Sequence, residues 1–369
     1  MKKIALILLL LFGGCLGYYL GRVHKKQSKA PELQEIKQRS KKVQGVKADI
    51  ISKSVFIPYW SLDSENIDLS RYDYVIYFGI VPNYQGIDKK DSGFYGIPTF
   101  TKLAVGKKKF ITLRMIDEEI NNFILKNKDA QEKVILETLK ILEQYQLDGI
   151  VLDLEISGLY NNELTAQINA FAQLFYSEAQ NNYRKFYLTI YGDNLYRGRP
   201  FDLSELSKNS DGIMVMAYDF HKSRGEPGPN FPYESGAKYQ YNFKNMISDF
   251  LKYIPKNKLT VIFGMFGYDW LVDEKKRPIR QAEALSYNEI KKKFLDKCEF
   301  KNCVVKRDEI SMETEVNYLI SSNTPDEQQI YRIDYHIVWF EDEESVKIKT
   351  DYLREQGISS ISYWAFGYF

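Results

Sequence analysis

The stretch DGIVLDLE, Asp148 to Glu155, is followed by a helical hydrophobic period over Glu163–Asn182 and then by KFYLTIYG, Lys185 to Gly192. An apolar run, an amphipathic helix and a second apolar run predict two parallel strands joined by a right-handed crossover. The same alternation continues in both directions along the chain. This unit therefore sets the fold class of everything after about residue 51.

Eight runs rich in β-branched and aromatic residues predict eight strands, with further helical periods over 130–145, 241–253 and 343–356. Eight strand–helix units favour a (β/α)8 TIM barrel, because no glycine-rich phosphate loop follows the first strand. Residues 271–335 are too many for one loop and predict a small α+β insertion between strands seven and eight. The runs are SVFIPYW (54–60), YDYVIYFGI (72–80), KKFITLR (108–114), DGIVLDLE (148–155), KFYLTIYG (185–192), DGIMVMAYD (211–219), LTVIFGMFGYDW (259–270) and ISSISYW (358–364).

The amino-acid composition excludes several classes of protein and several kinds of functional site. Of 369 residues, 44% are hydrophobic and 27% charged, which excludes disordered, collagen-like and multi-span membrane proteins. A net charge of +2 gives no basic field, so no nucleic-acid partner is predicted. Three isolated histidines and three cysteines predict no metal site, and no cofactor is expected. Cys298 and Cys303 can form a small disulfide if the domain is extracytoplasmic. Aromatic residues at 15% suit a surface that stacks on sugar rings or a large aromatic core.

The N-terminal region has the pattern of a membrane signal. Residues 1–3 predict a cytoplasmic N-terminus, the uncharged stretch 4–20 a transmembrane anchor or signal segment, and residues 21–50 a polar stalk before the domain 51–369. No small-residue cleavage pattern is evident, so an uncleaved anchor is favoured over a signal peptide. Gly14–Cys15 leaves a lipoprotein site open, although Phe12 departs from that pattern. The domain is expected outside the cytoplasm, anchored in the cell envelope or secreted.

The fourth strand carries two acids on one face. Side chains alternate along a strand, so Val151, Asp153 and Glu155 are predicted to point into the barrel. Buried carboxylates are costly, but the carboxyl-terminal mouth of a TIM barrel is where active sites form. The charge of Asp153 is expected to raise the pKa of Glu155, as a general acid requires. The alternative is that both acids pair with Arg or Lys from neighbouring loops.

With these acids placed, the sequence resembles family 18 glycoside hydrolases, the chitinases and related cell-wall glycan hydrolases. Their fourth strand reads DGxDxDxE, where this chain has DGIVLDLE. The resemblance runs from about residue 55 to 364 and is closest to the spore-wall branch in strand seven. Its other motifs are IMVMAYDFH (213–221), FGMFGYDW (263–270), ALSYNEI (284–290), VWFEDEES (338–345) and ISYW (361–364).

The resemblance implies substrate-assisted catalysis, an exception to the scheme with two enzyme carboxylates. Glu155 would protonate the glycosidic oxygen and later act as base for water. Asp153 would hold the substrate acetamide N–H, and Tyr218 would donate its hydroxyl to the acetamide carbonyl. Expected substrate-binding residues are Met216, Asp219 and Trp364, with Tyr59 and Trp60 at the end of strand one as a weaker assignment.

Two departures from the family pattern stand out. Val151 occupies a position that usually holds Asp, so Asp153 would lose an inner acid partner and should ionise more readily. We expect a slower enzyme or a changed pH optimum. The third-strand S-x-G-G pattern is also absent. Arg114 on that strand is predicted either to bind substrate or to pair with an acid.

The sequence thus predicts a monomeric, membrane-anchored glycosidase acting on β-1,4-linked N-acetylglucosamine-containing polysaccharides or oligosaccharides, with wall polymer favoured over chitin. A chitinase-like carbohydrate-binding barrel without turnover remains open because of Val151. A third possibility is a glycosidase with a protein nucleophile, in which Glu155 pairs with Asp219 or Asp269.

Overall fold

A computed structural model describes residues 51–63, 67–156, 158–321 and 333–369. The predictions for residues 1–3, 4–20 and 21–50 lie outside these ranges. Within the ranges, no helix is both long and apolar enough to cross a bilayer.

The described residues contain eight parallel strands that form a closed barrel, as the sequence predicts. Each strand pairs with its neighbours in space, and the last pairs with the first, where Ser52 lies beside Ser360. Closure leaves no free sheet edge, so every barrel strand is hydrogen-bonded on both sides. The strands are Ser52–Pro58, Tyr74–Ile80, Lys108–Met115, Gly149–Leu154, Lys185–Tyr191, Gly212–Ala217, Leu259–Gly264 and Ser360–Trp364.

Helices cover the outside of the barrel. The four predicted helical periods are present as Lys128–Gln144, Asn162–Asn181, Phe243–Phe250 and Glu343–Gln356. The sequence did not predict Ser92–Leu103, Glu118–Lys126 and Leu203–Lys208. The first of these contains two glycines and Pro98, which weaken its helical signal, but the side chain of Asp91 caps its start. Smaller elements are the 3-10 turns Tyr59–Ser61 and Lys256–Lys258 and a hairpin of Pro82–Asn83 with Gly86–Ile87.

An α+β lobe stands between the seventh and eighth barrel strands. In the described residues its sheet has five antiparallel strands, in the order Glu283–Ser286, Phe266–Val272, Ile333–Phe340, Thr314–Ser321 and Lys301–Arg307. A short helix, Tyr287–Ile290, continues as a π turn over Lys291–Leu295, and Cys298 and Cys303 form a disulfide. The lobe is longer than the predicted 271–335, because the run predicted as strand seven is two strands that separate after Gly264.

An apolar layer lies inside the barrel beneath its mouth. The inward-facing side chains of seven buried residues form one cluster, which includes Val151 at 1% exposure. In register, Thr112 lies beside Val151 and Arg114 beside Asp153. Arg114 and Asp153 thus lie one inward position nearer the carboxyl ends of their strands than Thr112 and Val151. The buried members of the cluster are Phe56, Ile76, Phe110, Val151, Met214, Met216 and Ile262.

Candidate active site

A cavity of about 560 Å³ opens at the carboxyl-terminal mouth of the barrel, between the barrel and the lobe. Its wall brings together residues that are more than 300 positions apart in sequence, from Trp60 to Trp364. Seven of the nine residues that the sequence assigned to a site line this one cavity: Trp60, Asp153, Glu155, Met216, Tyr218, Asp219 and Trp364.

Both acids of the fourth strand are held by hydroxyl groups. Asp153 is 4% exposed, and its Oδ1 accepts a hydrogen bond from the Thr189 hydroxyl. Glu155 is half-buried, and its Oε2 accepts one from Tyr191 Oη at 3.1 Å. Asn121 donates to the Glu155 carbonyl at 3.2 Å and fixes the backbone just past the strand end. Within the described ranges neither acid forms a salt bridge, so the alternative of Arg or Lys pairing does not hold there.

Burial dominates the electrostatics of the deeper acid. Burial, followed by the charge of Glu155, raises the pKa of Asp153 to about 7, against the opposing effects of the Thr189 hydrogen bond and the Arg114 charge. The rise that the sequence predicted for Glu155 stays a prediction. Asp153 is the more deeply buried of the two acids, which accounts for the leading effect of burial on its pKa. The expectation that Asp153 ionises more readily because it has no inner acid partner stays a prediction.

The end of the sixth strand supplies two further polar groups. Burial, then the charges of Asp153 and Asp219, raise the pKa of Tyr218, so its hydroxyl stays protonated and can donate. Asp219 has a φ of +59°, and its backbone N–H donates to Asn230 Oδ1 at 2.8 Å. Its carboxylate accepts from Tyr268 Oη of the lobe at 2.7 Å. The lobe therefore orients a barrel residue inside the cavity.

Aromatic rings form one side of the cavity. Trp364 packs edge-to-face on Phe78, with ring centroids 4.6 Å apart, and lies 6.3 Å from Trp60. Trp60 is 49% exposed, and Met216 is buried in the wall beside the barrel interior. Flat apolar surfaces beside polar groups are suited to binding sugar rings, which have apolar faces and polar edges.

Arg114 and Tyr59, predicted to bind substrate, do not line the cavity. Arg114 is 5% exposed, and its Nη2 donates to the Gly79 carbonyl at 2.9 Å and to Asp91 Oδ1 at 2.6 Å. Its guanidinium stacks over the Tyr59 ring at 4.8 Å. Of the two roles that the sequence left open for Arg114, pairing with an acid is the one observed. Tyr59 is held beneath that cation and packs against the main core.

The sequence analysis missed the hydroxyl donors. Thr189 and Tyr191 occupy alternate inward positions at the end of KFYLTIYG, and strand alternation could have found them once strands four and five were placed side by side. Tyr268 and Lys222 also line the cavity. Asp269, considered as a nucleophile, lies outside the cavity wall; it accepts from Tyr318 Oη at 2.6 Å and lies 2.8 Å from His336 Nδ1 within the lobe.

Comparison with known proteins gives a family and several relatives. A family model described as glycosyl hydrolases family 18 matches residues 55–368. The chain is 24% identical over 257 residues to the uncharacterized glycosylase YvbX of Bacillus subtilis, covering 68% of this chain and 66% of that protein. It is 23% identical over 258 residues to the cortical fragment-lytic enzyme of Bacillus anthracis, covering 68% of this chain and 53% of that one. The chain thus matches between about half and two thirds of the length of these relatives.

The fold is also similar to a solved structure. The Bacillus cereus spore cortex-lytic enzyme SleL superposes with a TM-score of 0.65 at 19% identity, covering 86% of this chain and 71% of that one. At this identity the similarity establishes the fold alone.

Proposed function

The chain belongs to glycosyl hydrolase family 18, and from this premise we propose that it is a glycosidase that hydrolyses β-1,4 bonds in N-acetylglucosamine-containing glycans. The observation that carries the proposal is the meeting of Glu155, Asp153 and Tyr218 in one cavity at the barrel mouth. A carboxyl group that can deliver a proton, a buried acid beside it and a tyrosine donor are the groups that substrate-assisted hydrolysis requires.

In the proposed mechanism Glu155 protonates the glycosidic oxygen while the 2-acetamido oxygen of the substrate attacks the anomeric carbon. The bond to the leaving sugar breaks, and an oxazolinium-like intermediate forms. Asp153 accepts the acetamide N–H and offsets the positive charge as it develops. Tyr218 donates to the acetamide oxygen, and Glu155 then takes a proton from the water that opens the intermediate. The anomeric configuration is retained because two displacements occur at the same carbon.

The electrostatics support this assignment of roles. The pKa of Asp153 is about 7, so this carboxyl can gain or lose a proton near neutral pH while the reaction proceeds. The raised pKa of Tyr218 keeps that hydroxyl a donor at every working pH. Trp364 and its aromatic neighbours supply a surface on which the sugar bearing the acetamide group can stack.

We favour bacterial wall glycan over chitin as substrate. The relatives include a cortical fragment-lytic enzyme, and the seventh-strand sequence resembles the spore-wall branch. We also place the domain outside the cytoplasm as a monomer, with residues 4–20 as its membrane anchor. The Cys298–Cys303 disulfide supports this location, because disulfides persist mainly in oxidising compartments.

The test is hydrolysis of N-acetylglucosamine oligomers and of purified wall glycan by wild type and by Glu155→Gln. The variant keeps the shape of the side chain but cannot supply a proton, so kcat should fall by about 10²- to 10⁴-fold. Glu132→Gln, an exposed substitution on the helix Lys128–Gln144, is the matched control and should retain full activity. Full activity in Glu155→Gln would show that the acid is misassigned.

Two alternative functions would give different experimental results. A carbohydrate-binding barrel without turnover, which the sequence left open because of Val151, predicts a wild type that binds both glycans and cleaves neither. A protein nucleophile such as Asp219, which lines the same cavity as Glu155, predicts covalent trapping by a fluorosugar. Tight binding of an oxazoline-type inhibitor supports the substrate-assisted route instead.

A further inference from the structure

Tyr191 contacts the proposed acid directly. It ends the fifth barrel strand, next to the strand that precedes Glu155, and its side chain lines the cavity. Its Oη donates to Oε2 of Glu155 at 3.1 Å. Among the described residues no donor reaches Oε1, so the two oxygens of this carboxyl group have different surroundings. One is held by the protein, and the other is available to a ligand in the cavity.

The tyrosine is itself held in place. The guanidinium of Arg199 lies 4.0 Å from the centroid of the Tyr191 ring, within the range of a strong cation–π contact. Arg199 donates to both oxygens of Asp193, at 2.6 and 3.0 Å, and Asp193 is 4% exposed. A bidentate pair of this kind fixes the plane of the guanidinium, and the guanidinium in turn fixes the ring beneath it.

We propose that Tyr191, held by the Arg199–Asp193 pair, is a positioning residue that orients Glu155 and leaves Oε1 as the oxygen that exchanges its proton with substrate. This inference rests on the proposed function of Glu155 as the acid. It adds a residue that the family resemblance did not assign, on a strand that the sequence analysis gave no functional role.

The physical effect has a definite sign. A hydroxyl that donates to a carboxyl oxygen favours the ionised form, because the charged oxygen is the better acceptor. Burial and the charge of Glu155 raise the pKa of Tyr191, so the hydroxyl keeps its proton and remains a donor. Loss of the hydroxyl should therefore free the carboxyl to rotate and remove one hydrogen bond that favours its charged form.

Tyr191→Phe tests this, because it removes the hydroxyl and keeps the ring under Arg199. We expect kcat to fall about 10- to 100-fold, as for the loss of one hydrogen bond to a charged group, with KM within about twofold. The alkaline limb of the kcat profile should move to higher pH. Tyr187→Phe is the matched control: it lies on the same strand and the same face, but in the barrel interior against Phe110. It should change neither kcat nor the profile.

A double-mutant cycle tests the role of Arg199. Arg199→Gln should lower kcat less than Tyr191→Phe does, and the double variant should match Tyr191→Phe alone, because Arg199 acts through the tyrosine. Arg197 also pairs with Asp193, at 2.6 Å, so this acid is not left without a cation in the variant. Additive losses in the cycle would overturn the proposed link between Arg199 and Tyr191.

The two proposals fail in different ways. If wild type is active and Glu155→Gln is not, but Tyr191→Phe behaves as wild type, the positioning role is wrong and the proposed function stands. If wild type cleaves no glycan, the proposed function fails and the positioning role fails with it. Carboxyl ¹³C NMR of labelled glutamate reports on the contact without turnover: the Glu155 carboxyl resonance should shift in Tyr191→Phe, which removes the hydrogen bond, and not in Tyr187→Phe. An unchanged resonance in Tyr191→Phe would contradict the inference.

Discussion

Two clusters of carboxyl groups in the molecule have opposite kinds of hydrogen-bond partner. In the mouth cluster, Asp153, Glu155 and Asp219, each acid accepts a hydrogen bond from a hydroxyl group. In the sealed cluster, where the lobe meets the helix Glu343–Gln356, the Lys349 ammonium donates to Glu313 at 2.8 Å and to Glu341 at 2.6 Å. All three side chains of the sealed cluster are 0% exposed.

The difference distinguishes carboxyl groups that stabilise the fold through an ion pair from carboxyl groups that can exchange a proton. A buried cation cancels carboxylate charge and fixes it, whereas a neutral hydroxyl donor leaves the proton free to come and go. Burial raises the pKa of an acid in both regions, to about 7 for Asp153 and about 8 for Glu341. Of these two acids, only Asp153 lines the mouth cavity.

The sealed cluster also supports the mouth from a distance. Glu313 accepts the backbone N–H groups of Asn230, at 2.5 Å, and Phe231, at 2.8 Å. The Asn230 side chain accepts the N–H of Asp219 and donates to the carbonyl of Gly264 at 3.2 Å. The loop after strand six is thus held by the sealed cluster on one side while it presents Asp219 to the cavity on the other.

The largest expected effect comes from breaking the sealed cluster. Lys349→Met removes the cation that donates to both Glu313 and Glu341 and leaves these buried carboxyl groups facing each other, so the free energy of unfolding should fall by about 3–5 kcal/mol. Urea unfolding measures this change. Lys347→Met, at an exposed position of the same helix, is the control and should change stability by less than about 0.5 kcal/mol. Equal stability of the two variants would mean that the cluster is not a structural ion pair.

Asp153→Asn applies the matching change to the mouth cluster. Because the amide cannot become negative, it should lower kcat by about 10²-fold through lost stabilisation of developing positive charge. Unfolding free energy should be unchanged or higher, since a buried charge without a cation has been removed. A loss of stability comparable to that of Lys349→Met would show that the mouth cluster stabilises the fold as the sealed cluster does, which would contradict the proposed difference between them.

The same variant predicts a pH dependence of stability. The folded-state pKa of Asp153 is raised from 3.8 to about 7, so between about pH 4 and 7 the native state binds more protons than the unfolded chain. Stability from this group is therefore present at low pH and is lost as pH rises through that window. Urea unfolding from pH 5 to 8 should show a smaller decline in Asp153→Asn than in wild type, by about 1–3 kcal/mol.

Val151→Asp is expected to have the smallest effect of these substitutions, and it tests the layer directly beneath the mouth cluster. It places an acid in the apolar layer beneath the mouth cluster, where the family pattern usually has one. Thr112, its register partner, has a buried hydroxyl without a hydrogen-bond partner among the described residues, which a carboxyl at 151 can accept from. We expect turnover to rise several-fold at a stability cost of about 1 kcal/mol.

Val151→Thr is the control for that substitution, since it nearly keeps the size of the side chain and adds no acid. Steady-state kinetics should show the gain in Val151→Asp alone. If Val151→Asp shows no gain, the hydroxyl of Thr189 already serves as the partner of Asp153, in place of the inner acid that other family members have.

Several features of the fold and the site could be predicted because local patterns of residues indicate them. Apolar runs rich in β-branched and aromatic residues placed the eight barrel strands, and side-chain alternation put Asp153 and Glu155 on one inward face. Helical periodicity found the helix Asn162–Asn181 but not Ser92–Leu103, whose glycines and proline hide the period. The seventh run was read as one strand, since nothing local distinguishes a continuous strand from two that diverge after Gly264.

By itself, the sequence determined the barrel, the family and the strand that carries the acids. Apolar runs, side-chain alternation and short motifs can each be recognised from residues that are close together in the chain. Only the tertiary structure decided which partners those acids have. It paired Arg114 with Asp91, placed the Thr189 and Tyr191 hydroxyls against Asp153 and Glu155, and raised the pKa of Asp153 by burying it. Burial and electrostatic environment arise from elements far apart in the chain, so they exist only once the barrel has closed and the lobe has packed on its mouth.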